Sequence, residues 1–109
     1  MKGYVLARDV EFDLVEIWEA IAEDSVDVAD CWIGKLFEAF DLITQNPYIG
    51  HKREDLTARP VLFWPVGSFL ILYRHRKEAV EIIAVVRGAR DIPAFLARRE
   101  GSGARPGQM

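Results

Sequence analysis

A chain of 109 residues, half of it apolar and 28% charged, has the make-up of one globular domain, large enough for a single core and too small for two. No run of about 18 uncharged apolar residues is present, so no membrane-spanning helix is expected. Asp9 interrupts the N-terminal apolar run before a signal-peptide core develops, and the lone Cys31 excludes an internal disulfide, so the expected home is the cytoplasm. The net charge of −3 conceals a dipole: residues 1–50 hold three bases against eleven acids, and residues 51–109 hold eleven bases against six acids. That asymmetry suits an anionic partner for the second half, or complementarity inside the molecule between an acidic helical layer and a basic sheet.

Tyr4 to Leu6 reads as a short first strand. Asp9 offers an N-cap, with Glu11 and Asp13 in the first turn where carboxylates favour the helix dipole. Leu14, Ile17, Trp18 and Ile21 then recur at spacings of three and four, the stripe of an amphipathic helix. Asp24 or Ser25 caps a second helix, whose stripe runs Val28, Ala29, Trp32, Ile33, Leu36, Phe37, Phe40 and Ile43 and stops at Asn46-Pro47, with Asn46 suited to a left-handed end. A join of two or three residues predicts an antiparallel helical hairpin. Gly34 inside the second helix costs about 1 kcal/mol relative to alanine, which a close approach of another element would explain.

Residues 47–56 mix Pro, Gly and charge without a period and read as a connecting loop. Arg59 to Pro65 is a strand flanked by prolines, Val66-Gly67-Ser68 a turn, Phe69 to Arg74 a returning strand, Arg76-Lys77-Glu78 a second turn, and Val80 to Val86 the last strand of a meander. The last two strands are continuously apolar rather than alternating, as when both faces of a sheet are covered. Asp91 caps a short final helix through Pro93, Phe95 and Leu96. The expected architecture is α+β: an N-terminal strand, a two-helix antiparallel hairpin packed on a small antiparallel sheet made by a three-stranded meander, and a short C-terminal helix. A single domain over residues 1–98 is followed by a flexible tail, 99–109, which from Gly101 onward is too poor in apolar residues to pack.

The chemistry-bearing residues are few. His51, His75 and Cys31 share no ligand spacing, so no metal is expected, and the glycines fit no phosphate-binding or dinucleotide motif, so no cofactor is expected. Ser25, Ser68 and Ser102 have no nucleophile context. Metal-free RNA cleavage needs a base, an acid and cations for the phosphorane charge; Arg74, Arg76, Lys77, Arg87 and Arg90 are of the cationic type, and His75 or His51 of the proton-exchanging type. Charged residues in a predicted turn, as Arg74 to Lys77 are, are ordinarily just solvated. For Arg90 and Asp91 the alternatives are an ion pair with a helix cap, or contact with a partner. Tyr48, an aromatic in a loop, is either peripheral core or a partner anchor.

The order of these elements, with Asp13-Leu14-x-x-Ile17-Trp18-x-x-Ile21, then Ala29, Leu36 and Ile43, then Asn46-Pro47-x-x-Gly50 and Arg53, then Leu70-Ile71-Leu72-Tyr73, then Val85-Val86-Arg87-Gly88-Ala89-Arg90-Asp91, resembles the ParE branch of the RelE/ParE toxins of type II toxin–antitoxin modules. The likeness covers residues 3–98. It implies a bacterial toxin of a plasmid- or chromosome-borne stabilisation module, neutralised by a cognate antitoxin in a hetero-oligomer, with contact through exposed apolar surface on the helices and sheet. ParE-like members act on DNA gyrase and block replication, as protein inhibitors rather than enzymes, with no sequence-specific nucleic-acid contact of their own; RelE-like members cut mRNA on the ribosome. The nuclease branch carries a basic residue or histidine and a tyrosine near the end of the last strand. Here no tyrosine follows Tyr73 and no histidine follows His75, which favours the gyrase-directed branch. That resemblance makes Arg87, Arg90, Asp91, Phe95 and Leu96 the expected target-binding residues, with Arg74, His75, Arg76 and Arg90 as the alternative endoribonuclease set. A non-toxic binding module on the same scaffold is the third reading. Two features depart from the family pattern: a net acidic chain where relatives are often basic, and Arg87-Gly88 where many have His-Gly.

Overall fold

The computed structural model describes residues 3–88 and 91–103, with side chains through Arg99. Its elements are β1 (Tyr4–Leu6), α1 (Val10–Ala22), α2 (Val26–Gln45), β2 (His51–Lys52), β3 (Leu62–Val66), β4 (Phe69–Arg76), β5 (Ala79–Arg87) and α3 (Ile92–Gly103). The strands form one sheet in the order β1-β5-β4-β3-β2. The meander β3–β4–β5 is antiparallel, as two-residue turns require. β1, however, lies parallel to β5, so the sheet is mixed rather than wholly antiparallel. No tight turn links β1 to its partner, and its direction is free of the constraint that fixes a hairpin. β2 was not expected: two exposed residues carry no alternation to read, and the pairing with Leu62 and Phe63 makes the strand.

The first face of the sheet is covered by the helical hairpin. Val10, Leu14 and Ile17 from α1 and Leu36, Phe40 and Ile43 from α2 pack on Phe69, Ile71, Tyr73, Val80 and Ile82. The Ser25 hydroxyl caps α2 by accepting the Val28 N–H at 3.1 Å. Asp9 sits at the α1 cap position but its side chain accepts no capping bond. Three expectations for α2 are corrected. Val28 is 47% exposed and off the buried stripe. Asn46 adopts φ −138° rather than a left-handed conformation, and closes the helix by hydrogen bonds to Leu42 and Ile43 carbonyls. No atom lies within 4 Å of where a Cβ on Gly34 would sit, so no intramolecular close approach explains it. The close approach occurs at Gly67 instead: in the β3–β4 turn at φ +60°, its Cβ position is 2.4 Å from the Trp32 ring.

The second face is covered by α3 and the segment before β3, through Val61, Phe63, Leu72, Ala84, Val86, Ile92, Phe95 and Leu96. A bulge makes this two-sided burial possible. Leu72 pairs with Ala84 and Tyr73 with Ile82, leaving Ile83 as an extra residue in β5. The extra residue inverts the alternation, so Val80 and Ile82 face the helical hairpin while Ala84 and Val86 face α3. Coverage of both faces is why β5 is apolar without a break from Ile82 to Val86. α3 runs past residue 98, the expected domain end, to Gly103. The remainder of the expected tail, 104–109, lies outside the described residues. Among the described residues no helix is long and apolar enough to cross a membrane.

Candidate functional site at the end of strand β5

β5 outruns β1. Its first residues pair with Tyr4–Leu6, and from Ile83 to Arg87 the β1 side of the strand has no neighbouring strand. Two side chains finish that edge. Asp13 Oδ2 accepts the Val85 N–H at 3.1 Å, and Arg99 Nη1 donates to the Ile83 carbonyl at 2.9 Å. Asp13 Oδ1 also accepts from Arg99 Nη2 at 2.8 Å, which locks α1, β5 and α3 together at one point. Asp9 stands 3.5 Å from Arg99 Nε, and the guanidinium stacks 4.6 Å from the Phe95 ring. Burial pushes the Asp13 carboxyl above its ordinary value; the Arg99 and Val85 hydrogen bonds oppose that rise without cancelling it.

Neither residue was singled out from sequence. For Asp13 a signal existed: three residues after Val10 and four before Ile17, it falls on the buried stripe, where a carboxylate needs a partner. Arg99 had none, since it lies in the stretch expected to be tail.

This junction floors a cleft of about 390 Å³ between α1, β5 and α3. Phe12, 68% exposed, and Glu16 form its α1 side, and Arg87 stands at its β5 end. Arg87 is exposed, lies 5.7 Å from the Phe69 ring and makes no ion pair among the described residues. The Gly88 N–H donates to Ser68 O at 2.9 Å, tying the end of β5 to the β3–β4 turn. Arg90 lies outside the described residues. Asp91 is exposed and caps α3, accepting the Ala94 N–H at 3.2 Å. Phe95 and Leu96, expected as target contacts, are 7% and 4% exposed and belong to the second core. Their apolar faces are spent on the sheet, so they hold α3 in place rather than offering surface.

Among the described residues, the members Arg74, His75 and Arg76 of the alternative endoribonuclease set do not converge on one site. Arg74 Nε and Arg76 Nη1 both donate to Glu81 Oε1, at 2.9 and 3.2 Å. Burial pushes the Glu81 carboxyl up, and the two arginines more than reverse it, holding it below the ordinary value. His75 lies between them in the strand and so projects to the opposite face, where its ring meets Tyr48 edge-on at 5.2 Å. The Tyr73 phenol, held above its usual pKa by burial, donates to Pro47 O at 2.8 Å and accepts the Gly50 N–H at 2.9 Å, a structural pin for the 47–50 loop. Among the described residues no three His, Cys, Asp or Glu side chains are grouped to hold a metal.

The fold is similar to a solved structure of the chromosomal ParDE TA system from P. aeruginosa, with a TM-score of 0.67 and 17% identity, over 80% of this chain and 96% of that one. No protein of curated function matches the sequence significantly. The family model of the ParE toxin of the type II toxin-antitoxin system, parDE, matches residues 4–92, and the chain belongs to that family as the toxin component of such a module.

Proposed function

We propose that this toxin acts by binding DNA gyrase in the cytoplasm, holding it in a state with cleaved DNA and so blocking replication, until a cognate antitoxin sequesters it in a hetero-oligomer. The observation that carries a binding role over a catalytic one is the contrast between the Arg74/Arg76 pair and Arg87. Arg74 and Arg76 share one carboxylate, Glu81, and are separated from His75 by the thickness of the sheet. Arg87 stands exposed at the mouth of a cleft beside an exposed aromatic, Phe12, the composition of a protein-contact hot spot. Arg90 and Asp91 follow directly in the chain, and the family model extends through this stretch.

The test is plasmid supercoiling by purified gyrase with and without the protein, followed by a gel for linear DNA after the enzyme is denatured. Inhibition with trapped linear DNA, lost in Arg87→Glu, is the expected result. Unchanged supercoiling by a folded and toxic preparation, with mRNA cleaved on ribosomes, would overturn it in favour of the endoribonuclease.

A further inference from the structure

We propose that a recess on the second face of the sheet, beside the start of β5, binds a diphosphate group, carried by free pyrophosphate or by a nucleoside diphosphate. The proposal does not rest on the gyrase reading, and the recess shares only Asp9 and Arg99 with the α1–β5–α3 cleft.

The recess holds about 240 Å³, below the range of about 300–1,000 Å³ usual for sites that enclose a whole drug-sized ligand, so it suits one compact group. Four parts of the fold each bring a guanidinium to it: Arg8 from the turn between β1 and α1, Arg59 from the segment before β3, Arg74 from β4 and Arg99 from α3. The carboxylates among its lining residues are Asp9 and Glu81. Val61 and Leu96, both nearly fully buried, give it an apolar side. Apolar surroundings exclude water, which strengthens each ionic hydrogen bond made beside them. No local motif announces such a site, because its arginines are scattered along the chain from Arg8 to Arg99.

Some of these donors are engaged within the protein and others are not. Arg99 is held by Asp9, Asp13 and the Ile83 carbonyl, and forms a fixed wall. Glu81 Oε1 accepts from Arg74 Nε and Arg76 Nη1, so the carboxylate orients Arg74 through one nitrogen. Both Nη groups of Arg74 donate to nothing among the described residues. Arg8 is exposed, and among the described residues its guanidinium makes no hydrogen bond or ion pair. The recess thus offers the whole fork of Arg8 and the outer nitrogens of Arg74. α1 begins at Val10, just after Arg8, so the positive end of its dipole adds to the same field.

The chemistry of guanidinium selects the ligand. Its planar fork meets the oxygens of a phosphate two at a time, with charge assistance. A diphosphate concentrates several charges on one small group and can answer guanidinia arriving from different elements at once. A nucleic-acid backbone carries a single charge on each phosphate and strings them along a strand, which suits an open basic stripe and not a closed recess.

The experiment titrates inorganic pyrophosphate, ADP and a short oligodeoxynucleotide without terminal phosphates into the folded full chain by calorimetry. Arg8→Gln and Arg74→Lys are measured beside the wild type. Arg53→Gln, which changes an arginine paired with Asp55 outside the recess, is the control, and thermal melts verify that each variant folds. The expected result is that pyrophosphate and ADP bind and the oligonucleotide binds more weakly than either. Affinity for both should fall about tenfold or more in Arg8→Gln and in Arg74→Lys, which keeps the charge and loses the fork, and should hold in Arg53→Gln. ADP binding tighter than pyrophosphate identifies the nucleotide as the source of the group, and the reverse identifies the free ion; either supports the site. No binding of pyrophosphate or ADP, tighter binding of the oligonucleotide, or affinities that the variants leave unchanged or lower equally in all three would each overturn it. None of these readouts involves gyrase, so their failure leaves that reading standing.

Discussion

A carboxylate in the first turn of a helix is ordinarily explained by the helix dipole, and Asp13 departs from that account because both its oxygens are engaged inside the protein, one by the Val85 N–H and one by Arg99. Asp13→Ala would leave a strand N–H and a guanidinium without their acceptor in a site where the Asp13 side chain is 10% exposed. The expected loss is about 3 kcal/mol, read as a lower urea midpoint. The pH dependence has a definite sign. With its folded pKa above the unfolded value of 3.8, Asp13 binds its proton more readily in the native state. Its stabilising protonation is complete below 3.8 and is lost as pH rises through the folded pKa, so the gap between wild type and Asp13→Asn widens as pH falls from 7 toward 4. Glu81 works oppositely. Its folded pKa lies below the unfolded 4.5, so its contribution is present above 4.5 and disappears as pH drops through the folded value. Arg74→Met should therefore cost about 1 kcal/mol at pH 7, as expected for a partly exposed pair, and almost nothing once Glu81 is protonated. A deficit independent of pH would show that Arg74 stabilises by packing alone.

Among the elements, those with a sustained period were legible and those set by a single residue were not. The stripes Leu14-Ile17-Ile21 and Ala29-Leu36-Phe40-Ile43 specify α1 and α2 outright, and Ser25 marks the boundary between them. β2 has no pattern, and the bulge at Ile83 hides within a run of apolar residues that reads the same with or without it. Glycines were legible as exceptions but not as reasons. Gly34 and Gly67 look alike in sequence, yet one faces open space and the other lies against the Trp32 ring at positive φ. Alanine at the two positions should act in opposite directions. Gly34→Ala is expected to stabilise by about 1 kcal/mol through helix propensity. Gly67→Ala is expected to destabilise by about 2 kcal/mol or more, because the left-handed turn is strained by a Cβ and the Trp32 ring must shift to admit it. Thermal melts of the two variants check both signs at once.

The molecule as a whole is a sheet buried on both faces, and that burial decides how its C-terminal region is to be tested. The junction of the last strand and the last helix, which Arg87 and Asp91 bracket, was legible. Its internal construction was not: Asp13 and Arg99 are 86 residues apart, and no local window contains both. Phe95 and Leu96 lie in the second core, a place the sequence did not reveal because apolar residues on a short final helix read identically whether they meet a target or the protein's own sheet. Ile92, Phe95 and Leu96 are each nearly fully buried, and at about 1.5–3 kcal/mol apiece their removal forfeits about 5–9 kcal/mol as an upper estimate. That rivals the entire stability of a small domain, about 5–15 kcal/mol. A chain ending at residue 91 should thus expose Val61, Phe63, Leu72 and Val86, bind hydrophobic dye and aggregate, so its loss of toxicity would say nothing of target contact. The informative change is Arg87→Glu, which alters an exposed side chain whose one described contact is the Phe69 ring, and should shift stability by no more than about 1 kcal/mol. Gyrase inhibition lost in Arg87→Glu at unchanged thermal stability would place the target at the mouth of the α1–β5–α3 cleft. Inhibition retained by both Arg87→Glu and Phe12→Ala would move the contact off this cleft, since Phe95 and Leu96 are already committed to the sheet.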